Sequence, residues 1–204
     1  MTISHSKVVK TNKKKREINP EAKREAILNV SEQLFAEHGY SETSTARIAR
    51  ETGVAVGTVF RIFHDKSGIL ESLHERMEQR FVDAMNEGWE SEAAYAERFR
   101  PMFRALFLCA ARYRNVMPLY GKTKELSLST RYQPGASIIS SIRENYDEGV
   151  ASGAFFKMDS EQVAFMTHGM VDGAMRYWMA NPTPGRMDEA VEKLDEFAKR
   201  LFVI

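Results

Sequence analysis

Cysteine is nearly absent: Cys109 is the only one in 204 residues. No disulfide can close within the chain, and no cysteine-based zinc cluster can be built. Such usage suits a reducing compartment, so a cytoplasmic location is expected. No apolar run approaches the roughly 18–20 residues that a membrane span needs, and no membrane partner is expected. The N-terminus, MTISHSKVVKTNKKKR, is basic with no apolar stretch behind it, which argues against a secretory signal. Sequence signatures of covalent and phosphate chemistry are missing as well: no nucleophile elbow, no Walker loop, no HExxH and no paired cysteines. An enzyme is therefore not expected, and neither is a cofactor or a metal. Alternating strand patterns and internal repeats are also lacking.

What is present is helical pattern and uneven charge. The hydrophobic fraction of 43% is ordinary for a folded chain. The formal net charge of +1 conceals an asymmetry. Residues 1–66 hold twelve Lys/Arg against eight Asp/Glu, whereas residues 67–204 hold seventeen against twenty. Positive charge thus gathers at one end, which suits a polyanionic partner there and not elsewhere. Lys7, Lys10, Lys13, Lys14, Lys15 and Arg16 form an unbroken positive block within residues 1–18. That segment reads as a disordered basic arm, either simply solvated or tracking DNA.

Helix signals begin at Asn19-Pro20, an N-cap followed by a proline suited to the first helical position. Ile27, Val30, Leu34 and Phe35 then recur at helical spacing, and Gly39 is expected to close the helix in the left-handed conformation. A second short helix starts at Ser44-Thr45, with Thr45 expected as its N-cap, and runs to about Glu51. Gly53 supplies a turn that demands positive φ. A third helix follows from about Ala55 to Phe63, and a fourth from an Asp65 cap to about Glu87, before Gly88. Two short helices about a glycine turn make a helix-turn-helix, whose second helix lies in the DNA major groove when such units dock.

Within this unit Ile48, Val54, Val59, Ile62 and Phe63 are expected to face inward, and Ala49 to let the helices cross closely. The exposed face of the third helix holds Val56, Gly57, Thr58, Phe60 and Arg61. Gly57 permits close approach to DNA, and Thr58 offers a hydroxyl and a methyl. Arg61 reads guanine or grips phosphate; both readings stand. Thr45, Arg47 and Lys66 are further candidate contacts to the DNA backbone.

The run AILNVSEQLFAEHGYSETSTARIARETGVAVGTVFRIFHDKSGIL resembles the N-terminal domain of the tetracycline-repressor (TetR) family of transcriptional regulators. The resemblance rests on Leu34-Phe35, Gly39-Tyr40, Thr45, Ile48-Ala49, Gly53-Val54, Gly57-Thr58-Val59-Phe60, Phe63, Lys66 and Leu70. It covers residues 21–75 closely; beyond them only length and helical pattern match. It implies an all-α protein: a three-helix helix-turn-helix domain over residues 19–66 and a helical ligand-binding and dimerisation domain over residues 67–204. The implied partners are a palindromic double-stranded DNA operator, a second copy of the chain, and a small-molecule effector. The implied function is a regulator, most simply a repressor released by its effector; an activator or an effector-independent protein of the same fold is the alternative. The sequence departs from the family where Phe60 replaces a frequent tyrosine and where Val56 and Ile62 replace polar residues. Each change removes a phosphate contact.

In the C-terminal part, further helices are expected over about Glu92–Tyr113 with Pro101 as start or kink, a short element from Met117, one beginning near Ile138, Ser160–Ala180, and a last one through Met187 and Leu201. SEQVAFMTHGMVDGAMRYWMA is apolar on most sides, so it is either deep core or packed on two faces. Together with the last helix it suits a four-helix dimer seam. Phe103, Phe107, Met117, Tyr120, Tyr132 and Met166 are candidate walls of a ligand pocket, which implies a largely apolar or aromatic effector. His168, Asp172 and Arg176 share one helix face, where they orient a ligand, join a dimer network or form an ordinary ion pair.

Overall fold

A computed structural model describes residues 19–89, 93–120 and 135–204. The basic arm and Tyr132 lie outside the described residues. The described chain is all-α, with nine α-helices: α1 Pro20–His38, α2 Thr45–Thr52, α3 Val56–Phe63, α4 Lys66–Trp89, α5 Phe99–Arg112, α6 Met117–Tyr120, α7 Ala136–Ala151, α8 Ser160–Met179 and α9 Pro184–Phe202. A 3₁₀ turn at Tyr95–Glu97 precedes α5.

Local chemistry sets most of these ends. The Asn19 side chain accepts from the Glu21 N–H and Pro20 opens α1. Asp65 accepts from the Ser67 hydroxyl and the Gly68 N–H, which hold its carboxyl below the usual carboxylate range. Asp159 caps α8 through the Gln162 N–H, and Thr183 caps α9 through the Arg186 N–H.

Four ends differ from the sequence reading. Ser44, not Thr45, caps α2: its hydroxyl accepts from the Arg47 N–H at 3.1 Å, and Thr45 is the first helical residue. Gly39 has positive φ (85°) but an extended ψ of 154°, so it leads the chain outward instead of closing a left-handed cap. Helix α4 runs through Gly88 to Trp89 because α5 crosses at that point; a Cβ on Gly88 would stand 2.5 Å from the Met102 Cα. Pro101 sits in the first turn of α5, where its missing N–H has no helical partner to lose, so the helix begins at Phe99 and not near Glu92.

Two apolar cores result. The first joins Ile27, Leu28, Phe35, Ile48, Val59 and Phe63 from α1–α3 to Ile69, Leu70 and Leu73 of α4, with Leu119 of α6 reaching in. The second is aromatic: Trp89, Phe99, Phe103, Phe107, Tyr146, Phe155, Trp178 and Phe202 lie within it. Helix α4, about 36 Å long from its 24 residues, serves both. The C-terminus is clasped by the N–H groups of Phe156 and Ile204, which donate to Phe202 and Ala154 carbonyls. No helix among the described residues is long and apolar enough to cross a membrane.

Candidate nucleic-acid interface and buried cavity

The head is built by the tight α2–α3 turn. Gly53 takes φ 74° and ψ 19°, and the Val54 N–H returns to the Ala49 carbonyl at 3.0 Å. Ile48, Ala49, Val59 and Phe63 are buried, which turns the other face of α3 outward. On that face Val56, Gly57, Phe60 and Arg61 are exposed and Thr58 is half-buried. Phe60, at 46% exposure, is a large ring for a protein surface. A Cβ at Gly57 would meet nothing within 4 Å, so the fold itself does not require glycine there.

The candidate cations divide. Arg61 is exposed and makes no hydrogen bond or ion pair with the described residues. Arg47 points its guanidinium at His38 Nε2, 2.8 Å away on the end of α1. Lys66 Nζ donates to the carbonyls of Tyr40 (3.0 Å) and Ser41 (3.4 Å) and lies 4.3 Å over the Tyr40 ring. Lys66 thereby fastens the α1–α2 turn to the start of α4. One further feature had no signal in the sequence: His64 ends α3 at φ 67°, and is the one non-glycine residue with positive φ among the described residues. A histidine in that conformation costs on the order of 1 kcal/mol or more.

A polar node couples the head to the body. Glu32 of α1 accepts from Arg76 (2.7 Å), Arg80 (3.0 Å) and the Tyr120 hydroxyl (2.6 Å). Burial first, and then the Glu32 hydrogen bond, push the Tyr120 hydroxyl well above its ordinary pKa. His74 stands edge-on to Tyr120, and burial lowers its pKa to about 4. Tyr120 is therefore not a pocket wall. It belongs to the contact between α6 and α1.

The body contains a cavity of about 110 Å³. Its apolar wall includes Met85, Met102, Met117, Met175, Ile138 and Ile142, and α8 adds Thr167, His168 and Asp172. Of the residues singled out from the sequence, the structure brings Met117, His168 and Asp172 together here. Phe103 and Phe107 are wholly buried in the aromatic core instead. Met166 is 67% exposed, because one residue along α8 turns a side chain by about 100°. Asp172 accepts from Arg176 Nε at 2.7 Å, the ordinary i,i+4 pair. The other lining methionines had helical spacing, a pattern that does not separate core from cavity. Cys109 is buried, and burial raises its thiol pKa, which makes it a poor nucleophile. No metal-holding group of side chains is present among the described residues.

Helix α8 is packed on one side only. Phe165, Met166 and Tyr177 are more than half exposed, beside Gly169 and Gly173. On neighbouring α9, Phe197 and Leu201 are about half exposed.

A helix-turn-helix with an open second helix, carried on a separate helical body, defines a DNA-binding transcriptional regulator. Residues 27–73 match the family described as "Bacterial regulatory proteins, tetR family". The chain is similar to the fatty acid metabolism regulator protein of Bacillus subtilis (strain 168): 25% identical over 165 residues, 76% of this chain and 82% of that protein. It resembles the crystal structure of a tetR family transcription regulator from Shewanella sp. PV-4, with TM-score 0.68, 27% identity and coverage of 89% and 98%. The fold is also that of the fatty acid degradation regulator FadR from Bacillus halodurans, with TM-score 0.69, 23% identity and coverage of 86% and 93%. Residues 27–73 thus form a TetR-family DNA-binding domain, and the chain is similar over most of its length to transcriptional regulators that carry it.

Proposed function

We propose that the protein is a homodimeric repressor that leaves a palindromic operator when a small, largely aliphatic effector enters the body. The observation that carries this reading is the placement of α6. Met117 lines the cavity, while Leu119 and Tyr120, two and three residues on, pack against the head. A ligand that displaces Met117 therefore bears on α1 through Glu32, and a preference for one of two head positions is all that release requires. The cavity's methionines suit a flexible chain. The names of the two fatty-acid regulators above agree with that ligand chemistry. The exposed stripe of α8 and α9 suits the second copy: it is apolar, and it lies on neighbouring helices. Residues 19–66 serve as the reading head, residues 67–204 as the sensing and pairing body, and residues 1–18 as an arm along the DNA.

On the operator, Arg61 is the strongest candidate to read a base; Val56, Gly57, Thr58 and Phe60 make the close contacts around it. Thr45, Arg47 and Lys66 lie nearer the backbone, with Arg47 and Lys66 leaving their protein partners if they grip phosphate. Selection of tight binders from randomised duplexes tests the reading. A palindrome and a steep salt slope are expected, and Arg61→Ala is expected to relax one base position at a cost of about 1–3 kcal/mol. An equal loss on every operator variant would confine Arg61 to phosphate.

A further inference from the structure

A second void lies beyond the first. It measures about 20 Å³ and its wall includes Trp89, Asn145 and Thr167. The two voids share Met102, Ile142 and Thr167 as walls, so they are neighbours across one layer of side chains. Trp89 Nε1, Asn145 Nδ2 and Thr167 Oγ1 are each buried, and none has a hydrogen-bond partner among the described residues. Trp89 and Thr167 are both only 5% exposed. Folded proteins rarely leave one such atom unpaired, and here three belong to residues lining one small void.

The chemistry of these groups is directional. An indole N–H only donates, an amide NH₂ only donates, and a threonine hydroxyl donates as readily as it accepts. What they share is a need for an acceptor. A void of 20 Å³ is large enough for one oxygen-sized centre. A carboxylate brings two oxygens and a charge, and so fits poorly. The larger cavity is mostly aliphatic, with Thr167, His168 and Asp172 on its α8 side, and of the scale that takes a molecule of about five or six carbons, since an apolar cavity of about 150 Å³ takes benzene.

We propose that these two voids form one site for a short aliphatic molecule bearing a single uncharged carbonyl. The chain lies among Met85, Met117 and Met175, and the carbonyl oxygen passes Thr167 to accept from Trp89, Asn145 and Thr167. This rests on the effector reading above and gives that effector a head group. The donors sit on α4, α7 and α8, so one oxygen ties three helices of the body together.

The test uses the full-length ¹⁵N-labelled protein without DNA. It has two indole N–H resonances, from Trp89 and Trp178, which Trp178→Phe assigns. The probes are 2-hexanone, 1-hexene, hexylamine and hexanoate. The ketone is expected to bind about tenfold more tightly than the alkene and to move the Trp89 indole proton downfield. Thr167→Val, close in shape, is expected to cost the ketone about fivefold while leaving alkene binding unchanged; Asn145→Leu acts likewise. Amine or hexanoate binding as tight as the ketone's overturns the proposal. So does binding of none of the four, or ketone binding with the Trp89 resonance unmoved, which leaves the small void to a water. Release of DNA by the ketone is read separately: binding without release upholds the site and removes its role as an effector site.

Discussion

The head and the body of this molecule are stabilised by different kinds of information. In the head, short-range signals act one by one: Asn19, Ser44, Gly53 and Asp65 each set a helix end within three or four residues of themselves. In the body, the decisive contacts join residues far apart, such as Phe99 with Phe202 at 6.1 Å and Trp89 with Phe155 at 6.4 Å. A local signal can be altered at small cost to the rest. A long-range aromatic core cannot, because each ring is a wall for several others.

The largest expected effect follows from that contrast. Phe103 is wholly buried and stacks on Phe99 at 6.2 Å. Phe103→Ala is expected to cost about 3–5 kcal/mol, from lost burial plus the cavity left behind. Denaturant unfolding gives the total, and amide exchange locates it. Protection should fall in α5, α8 and α9 before it falls in α1–α3, whose core contains none of these rings. Equal loss in both would show that the two cores unfold as one unit, and would weaken the comparison.

Next comes the exposed side of the body. Tyr177→Asp with Phe165→Asp places two charges on the α8 stripe, where both residues are more than half exposed. Folding of the monomer should be untouched. Sedimentation is expected to show a monomer, and operator affinity to fall about 100-fold or more as the second reading head is lost. A dimer that survives both charges would place the seam elsewhere.

The contact between the two regions is expected to be sensitive to acid through His74. The folded pKa of His74, about 4, lies below its ordinary value of 6.5, because burial disfavours the charged ring. The stabilising contribution is therefore fully present above about pH 6.5 and is lost as pH falls from there towards 4. At pH 5 the loss from this group is about 2 kcal/mol. His74→Phe should flatten the stability–pH curve between pH 7 and 5 by about that amount, measured by urea unfolding. An unchanged curve would show that protonation of His74 does not limit stability in acid.

These differences also explain what the chain made legible. The head could be placed residue by residue, since caps, the Gly53 turn and a 3.6-residue period are all local. Its main misreading was Thr45 for Ser44, two adjacent hydroxyls in which only backbone geometry decides. The cavity was legible only as a region. Met117, His168 and Asp172 line it, whereas Phe103, Phe107, Tyr120 and Met166 do not. A helical period says that a side chain is covered, and not whether core, cavity or a partner covers it. The orphaned Trp89, Asn145 and Thr167 are 56 and 22 residues apart in sequence, a relation no local pattern carries.

The smallest effect separates those two hydroxyls. Ser44 Oγ accepts from the Arg47 N–H, so Ser44→Ala leaves that donor without its partner at the start of α2 and should cost about 1 kcal/mol. Thr45 is the first helical residue; Thr45→Ala removes no cap and improves helix propensity, so its stability should change by a few tenths at most. On DNA the order should reverse. If Thr45 meets a phosphate at the α2 N-terminus, its loss should weaken all operators alike and leave sequence preference intact. Ser44→Ala should weaken them only as far as the head frays. Equal stability losses for the two variants would mean that both hydroxyls share the cap. The head would then be held less locally than its geometry suggests.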